Sequence, residues 1–303
     1  MKNYLKSVTL GSLASLSLLV VSACNPSTPA PPATSQPVPT RIISIAPNAT
    51  EIIASLGAAK RLVGVSSFCL WPPEIKTLPR IGGLFDASAE AILKLQPDLI
   101  VLRGTNRAVE QLSREGGIRL YRDHTERFDD IYRTADELAG ILGCPEKSAE
   151  VRATMRKRLD EIGRAVAGKS RPRVLMTLAR RPDALGEIMT GSKLTFINDL
   201  ITYAGGENVF AEMSLDYPRV SPEAVLAAKP DVILEAMPET PESTELLRSV
   251  NEQWARVGPI PAVRNHRIHI LHDENCLIPS PRIVEVIAKI ARLLHPEADI
   301  ERR

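Results

Sequence analysis

Residues 88–100 read S-A-E-A-I-L-K-L-Q-P-D-L-I, and residues 221–233 read S-P-E-A-V-L-A-A-K-P-D-V-I. At this constant offset Ser88/Ser221, Glu90/Glu223, Ala91/Ala224, Leu93/Leu226, Pro97/Pro230, Asp98/Asp231 and Ile100/Ile233 are identical. Ile92/Val225 and Leu99/Val232 exchange one apolar side chain for another. The period is far too long for a solenoid, in which units of some 20–50 residues stack on their neighbours. The chain is instead expected to fold as two similar lobes, and binding sites in such molecules favour the cleft between lobes.

Each half repeats one order of elements. Arg41-Ile42-Ile43-Ser44-Ile45-Ala46 is a β-branched apolar run, hence a buried strand, and Pro47 opens a helix that ends at Gly57. Leu62 to Val65 reads as a second strand, Ser88 to Leu95 as a short helix stopped by Pro97, and Asp98 to Leu102 as a third strand. In the second half the strand is Arg173 to Leu178, and Thr190-Gly191-Ser192 leads a helix closing at Gly205-Gly206. The copied helix and strand follow at 221–228 and 231–234. Alternating strands and helices give parallel sheets covered on both faces. Between the halves, Met155, Leu159, Ile162 and Val166 form one stripe of a long amphipathic helix over 146–168, and Pro281 to Leu294 is a last amphipathic helix.

The N-terminus is a targeting segment. Lys2 and Lys6 precede an uncharged, mostly apolar stretch from Val8 to Val21, too short to span a membrane, and Val21-Ser22-Ala23 lead into Cys24. Residues 1–23 are therefore expected to be a lipoprotein signal peptide, with Cys24 the lipidated first residue of the mature chain. Residues 25–40 hold six prolines and no charge. Such a stretch is an extended tether of roughly 50 Å at about 3.1 Å per residue. The protein is expected to be exported and lipid-anchored at the periplasm or cell surface. Its formal charge of +2 points to no nucleic-acid partner. Beyond Cys24 only Cys69, Cys144 and Cys276 remain, which permits at most one internal disulfide.

The order of these elements resembles the helical-backbone class of periplasmic binding proteins, which serve ABC importers of vitamin B12, ferric siderophores and haem. The resemblance spans residues 41–296. It is carried by R-I-I-S-I-A-P-N-A-T-E-I-I-A-S-L-G at 41–57, G-V-S-S-F-C-L-W-P-P-E at 64–74 and the two glutamate-bearing repeats. S-P-R-I at 280–283 and the Phe68 that follows G-V-S-S look most like the vitamin B12-binding branch. The implied fold is α/β: two Rossmann-like lobes, 41–145 and 169–303, joined by one long helix at 146–168, with the ligand cleft between them. The implied partners are an ABC permease with its ATPase, a corrinoid or iron-chelate ligand and the membrane. A monomer without a resident cofactor is expected.

Glu90 and Glu223 follow a serine able to cap the helix, so each carboxylate sits in the first turn, where the helix dipole favours it. The resemblance adds a role: one glutamate on each lobe docks to arginines of the permease. Ligand contacts are expected where strand C-termini and helix N-termini face the cleft. That selects Pro47, Asn48, Phe68, Trp71, Arg103 and Gly104 on the first lobe. On the second it selects Arg180, Arg181, Thr190, Gly191, Ser192, Glu235 and the segment 273–276 with Asp273 and Asn275. Phe68 and Trp71 suit stacking on a flat macrocycle, the three arginines suit an anionic ligand, and Gly191-Ser192 at a helix start suits an anion. Trp254 reads as packing. Strand alternation separates His269 from His266 and His272, so no metal site is expected. The chain lacks a G-x-S-x-G elbow, a phosphate loop and H-E-x-x-H, and no enzyme is expected.

Overall fold

A computed structural model describes residues 37–181, 185–238 and 240–302. The signal segment, Cys24 and the tether up to residue 36 lie outside the described residues. The body from Val38 onward is one compact unit.

The first sheet is built from β1 (Ile42–Ser44), β2 (Leu62–Val65), β3 (Leu99–Arg103) and β4 (Arg119–Asp123), all parallel, in the order β2-β1-β3-β4. Its helices are α1 (Pro47–Ser55), α2 (Ala89–Lys94), α3 (Arg107–Gly116) and α4 (Phe128–Leu142). α5 (Pro145–Val166) follows. The second sheet comprises β5 (Arg173–Thr177), β7 (Glu207–Asn208), β9 (Val232–Ala236) and β10 (Ile268–Leu271), parallel in the order β10-β9-β5-β7. Beside it β6 (Ile188–Met189) and β8 (Arg219–Val220) make a short antiparallel pair. The second lobe's helices are α6 (Phe196–Tyr203), α7 (Pro222–Ala228), α8 (Thr244–Ala255), α9 (Pro261–Arg264) and α10 (Ile283–Leu294). In each lobe the first strand lies between the second and the third, with the fourth outside the third, so the two topologies coincide.

The repeat explains why. Ser88 and Ser221 accept hydrogen bonds from the N–H of Ala91 and Ala224, capping α2 and α7. Pro97 and Pro230 prevent continuation of these helices. The next residue ties the following strand to the lobe's first one. Asp98 accepts from the N–H of Arg41 at 2.9 Å, and Asp231 from that of Arg173 at 2.9 Å. The arginines reciprocate: Arg41 donates to the carbonyls of Leu95 and Gln96, and Arg173 to that of Ala228, at the helix C-termini. Gln96 and Lys229 take the left-handed turn in their respective lobes (φ 43° and 48°). One device thus sets the register of β1 against β3 and of β5 against β9.

One apolar cluster runs through both lobes. It joins Ile52 and Ile53 of α1, Leu138 of α4, Met155 and Ile162 of α5, Leu200 of α6 and Ile287 of α10. Each lobe adds its own core on the other face of its sheet, around Ile43 and Leu102 in the first and around Leu175 and Trp254 in the second. Arg158 of α5 is buried and pairs with Glu285 of α10 and Glu161. Cys69, Cys144 and Cys276 are all free thiols, and no disulfide links them. Burial raises each thiol, Cys276 up to about 12. Among the described residues no helix is long and apolar enough to cross a membrane.

Candidate functional site

The long connection from β2 to α2 carries the most exposed aromatic surface of the first lobe. Phe68 projects from a loop that Arg80 pins by donating to the carbonyls of Ser66 and Cys69 at 3.1 and 2.6 Å. Its ring is held against Gly83, where a Cβ would come within 3.2 Å of the ring and 2.6 Å of Asp86. Two residues further, Phe85 extends into solvent beside Gly104, and Asn106 fixes it by donating to its carbonyl. Phe68 is 50% and Phe85 80% exposed. Two rings left open to water are costly unless something covers them.

Trp71 is half-buried, and the Arg282 guanidinium from the second lobe lies 4.8 Å from its ring centroid. Arg282 and Ser280, both from S-P-R-I, converge on the buried carboxylate of Glu51 on α1. A second crossing joins α4 to α6: Arg127 chelates Asp199, which also accepts from the N–H of Phe128. The lobes are therefore clamped by charge-assisted hydrogen bonds at two places.

A polar network joins the start of α1 to the C-terminal ends of β3 and β4. Asn48 and Arg103 both donate to Asp123, at 2.9 and 2.8 Å, and Thr125 donates to its other oxygen at 2.6 Å. Arg103 also reaches Glu126 at 2.9 Å. From the second lobe Tyr217 stands beside Glu126; burial chiefly, and then the Glu126 charge, push its hydroxyl up to about 12 against the opposing pull of Arg103. Tyr217, Phe85, Asp123 and Glu51 were not read from the sequence.

The structure brings Asn48 and Arg103 into this one network, with Pro47 at the first position of α1. Other expected contacts have internal partners. Arg180 is withdrawn into the second lobe: it donates to Glu235 at 2.7 Å and to Gln253, leaving 4% of its side chain exposed. Glu235 is spent on Arg180, Thr177 and the buried Trp254 indole. Arg181 is exposed. Asp273 pairs with Lys289, and Asn275 donates to the Arg282 carbonyl. The expectation that Thr190-Gly191-Ser192 opens a helix is corrected. α6 begins at Phe196 with Thr195 before it, and all three residues are buried loop. A Cβ at Gly191 would collide at 2.6 Å with Ile197 and Thr195, so the glycine serves close packing, and no helix start faces an anion there. Among the described residues no group of three or more His, Cys, Asp or Glu side chains is placed to hold a metal ion.

Glu90 and Glu223 both occupy the second position of a serine-capped helix and are exposed. Glu90 is paired with Lys94 at 2.7 Å. Glu223 has alanine at the equivalent place, Ala227, and the hydroxyl of Ser221 holds its carboxyl below the usual range.

A profile of periplasmic binding proteins matches residues 42–275. A vitamin B12-binding protein of Pectobacterium atrosepticum is 30% identical over 73% of this chain and 84% of its own length. The crystal structure of the periplasmic vitamin B12-binding protein of Vibrio cholerae superimposes with a TM-score of 0.70 at 27% identity, covering 86% of this chain and 98% of that one. The apo periplasmic haem-binding protein of Roseiflexus sp. RS-1 has the same TM-score at 28% identity, covering 84% and 98%. Two matched parallel sheets, clamped lobes and a profile match over most of the folded body together place this chain in the periplasmic binding protein family.

Proposed function

We propose that this protein is the substrate-binding component of an ABC importer that captures a corrinoid of the vitamin B12 type between its lobes and hands it to the permease. Glu90 and Glu223 are the docking residues, and Cys24 carries the lipid anchor. The observation that carries the ligand reading is the exposed pair Phe68 and Phe85, a surface suited to the face and rim of a flat macrocycle. Relatives named for vitamin B12 binding support it. Arg103, 27% exposed, keeps part of its guanidinium open to the phosphodiester of a corrinoid while Asp123 and Glu126 orient it. Asn48 is buried and acts by holding Asp123.

A second reading, an iron chelate or haem, is favoured by the haem-binding relative of equal similarity. An iron porphyrin needs an axial ligand from the protein. Tyr217 stands beside the Asp123 network, and burial and the Glu126 charge, which push its hydroxyl up, oppose the loss of its proton to a metal. A corrinoid brings its own axial ligands and asks only for packing and hydrogen bonds.

The test is a thermal-shift comparison of the mature chain with cyanocobalamin, haem, a ferric catecholate and a ferric hydroxamate. At 100 times its dissociation constant a ligand adds about 2.7 kcal/mol of stability. For a body of this size that is roughly 5–10 °C. Cobalamin is expected to give that shift at one-to-one stoichiometry. Stabilisation by an iron compound and none by cobalamin would replace the ligand and keep the transport role.

A further inference from the structure

The internal repeat lets the molecule be compared with itself. Five of the seven identical pairs perform the same internal task in both lobes. Ser88 and Ser221 cap helices, Asp98 and Asp231 bind the first strand, Pro97 and Pro230 stop the helix, and Ile100 and Ile233 are core. Ala91 and Ala224 pack against their lobes' cores. Two pairs have no shared internal task. Glu90 and Glu223 are one. Leu93 and Leu226, 52% and 41% exposed, are the other. The ion pair from Glu90 to Lys94 is not what the copies share, because Ala227 stands where Lys94 would be.

Each leucine lies three residues after its glutamate, which places the two side chains as neighbours on one helix face. A single exposed leucine needs no explanation. Leucines at matching places beside matching carboxylates, on helices α2 and α7 that the same device anchors in each lobe, make two similar knobs: a carboxylate with an apolar side chain next to it. Two similar knobs fit a partner with two similar sockets, which a two-fold assembly supplies.

We propose that Leu93 and Leu226 are the apolar half of the surface that docks onto the permease, each seating with its glutamate in a socket of a cationic wall and an apolar floor, one socket on each half of the transporter. This rests on the reading of Glu90 and Glu223 as docking residues. The carboxylate steers approach, and the leucine, dehydrated on contact, sets how long the complex lasts. The knobs are unequal in charge: Lys94 offsets Glu90, and Ala227 leaves Glu223 without such a cation, so the α7 knob leads the encounter.

The experiment measures association of the full protein with its permease–ATPase complex in lipid nanodiscs. Leu93→Ser, Leu226→Ser and the double variant are compared with Glu90→Gln and Glu223→Gln, and with Leu247→Ser, an exposed leucine of α8 outside the repeat. Each knob leucine change is expected to speed dissociation about fivefold, and the pair about 25-fold. That loss is expected to be the same between about 0.05 and 0.5 M salt. The glutamate changes are expected to slow association and flatten its salt dependence, Glu223→Gln more than Glu90→Gln. Cargo affinity stays at the wild-type value in the leucine variants, and the melting temperature falls by only a few degrees, since each side chain is about half-exposed and Leu226 rests against Gly258. Wild-type dissociation in the leucine variants, or an equal effect of Leu247→Ser, overturns the inference and leaves the glutamate reading standing when the salt dependence changes as stated. Wild-type behaviour of all the glutamate and leucine variants removes both.

Discussion

Replacing Glu235 by leucine tests the interior of the second lobe. The carboxylate accepts from Thr177 Oγ1 at 2.7 Å, Arg180 Nε at 2.7 Å and Trp254 Nε1 at 2.5 Å. Arg180 is only 4% exposed, so its guanidinium cannot recover water when the carboxylate is gone. Stranding one member of a buried ion pair costs about 3–5 kcal/mol. With about 2–4 °C per kcal/mol for a domain of this size, the melting temperature falls by roughly 6–20 °C. Arg180→Met in the same chain removes the stranded cation and is expected to return about 2 kcal/mol or more. The remaining deficit belongs to the Thr177 hydroxyl and the Trp254 indole, at about 1–3 kcal/mol for each orphaned donor. Urea unfolding of the two single variants and the double, with the slope checked for constancy, gives the coupling energy directly. A double variant as unstable as the sum of the singles would refute the pairing. Unchanged cargo affinity in the double would assign Arg180 to stability alone.

Phe68→Ala, Phe85→Ala and Trp71→Ala are each expected to weaken cargo binding by about 1.5–3 kcal/mol if the ring is covered on binding, or roughly 10–150-fold in Kd; calorimetric titration reads this, and wild-type affinity in all three would move the ligand elsewhere. Burial lowers the folded-state pKa of His269 and His295, aided at His269 by Arg267. The unfolded chain then binds those protons more readily, so stability is held above pH ~6.5 and declines as pH falls below it. Denaturant midpoints from neutral pH down to about 5 check this, and His269→Asn with His295→Gln should flatten the slope. Cys24→Ser is expected to move the protein from the membrane pellet to the soluble fraction, because stable anchoring needs more than one acyl chain; a mutant that still pellets with membranes removes the lipid anchor.

The repeat made the architecture legible because its signals are local. A capping serine, a stopping proline and an aspartate lie within eleven residues and act on neighbouring backbone in both lobes. β4, α3, α4 and α8 are not legible in the same way: Asn106 and Ser243 do cap α3 and α8, and Gly117 and Gly143 close α3 and α4, but these single marks have no second copy in the chain to single them out. Thr190-Gly191-Ser192 was misread because Thr, Gly and Ser have the composition of a helix start, whereas Thr195 stands before α6 and Gly191 answers a contact with Ile197. At the site, Phe68 and Trp71 were found as aromatics just after a strand. Phe85 and Tyr217 lie in irregular segments without a period to betray them. Polar partners were invisible for a different reason: Asn48 meets Asp123 from 75 positions away, Arg180 meets Glu235 from 55, and Arg282 meets Glu51 from 231. Sequence shows that an arginine ends a strand; only the fold shows that its charge is already taken.

The apolar cluster shared by α1, α4, α5, α6 and α10 makes the lobes thermodynamically inseparable. Opening either one would expose the face on which the other packs, so heat should melt the body in one cooperative step. Trp71 at the cleft and Trp254 in the second lobe's own core should therefore lose their native fluorescence at the same temperature. A cargo that touches only cleft side chains would raise both midpoints together, and residues on the far side of either sheet would feel its arrival without any of them moving.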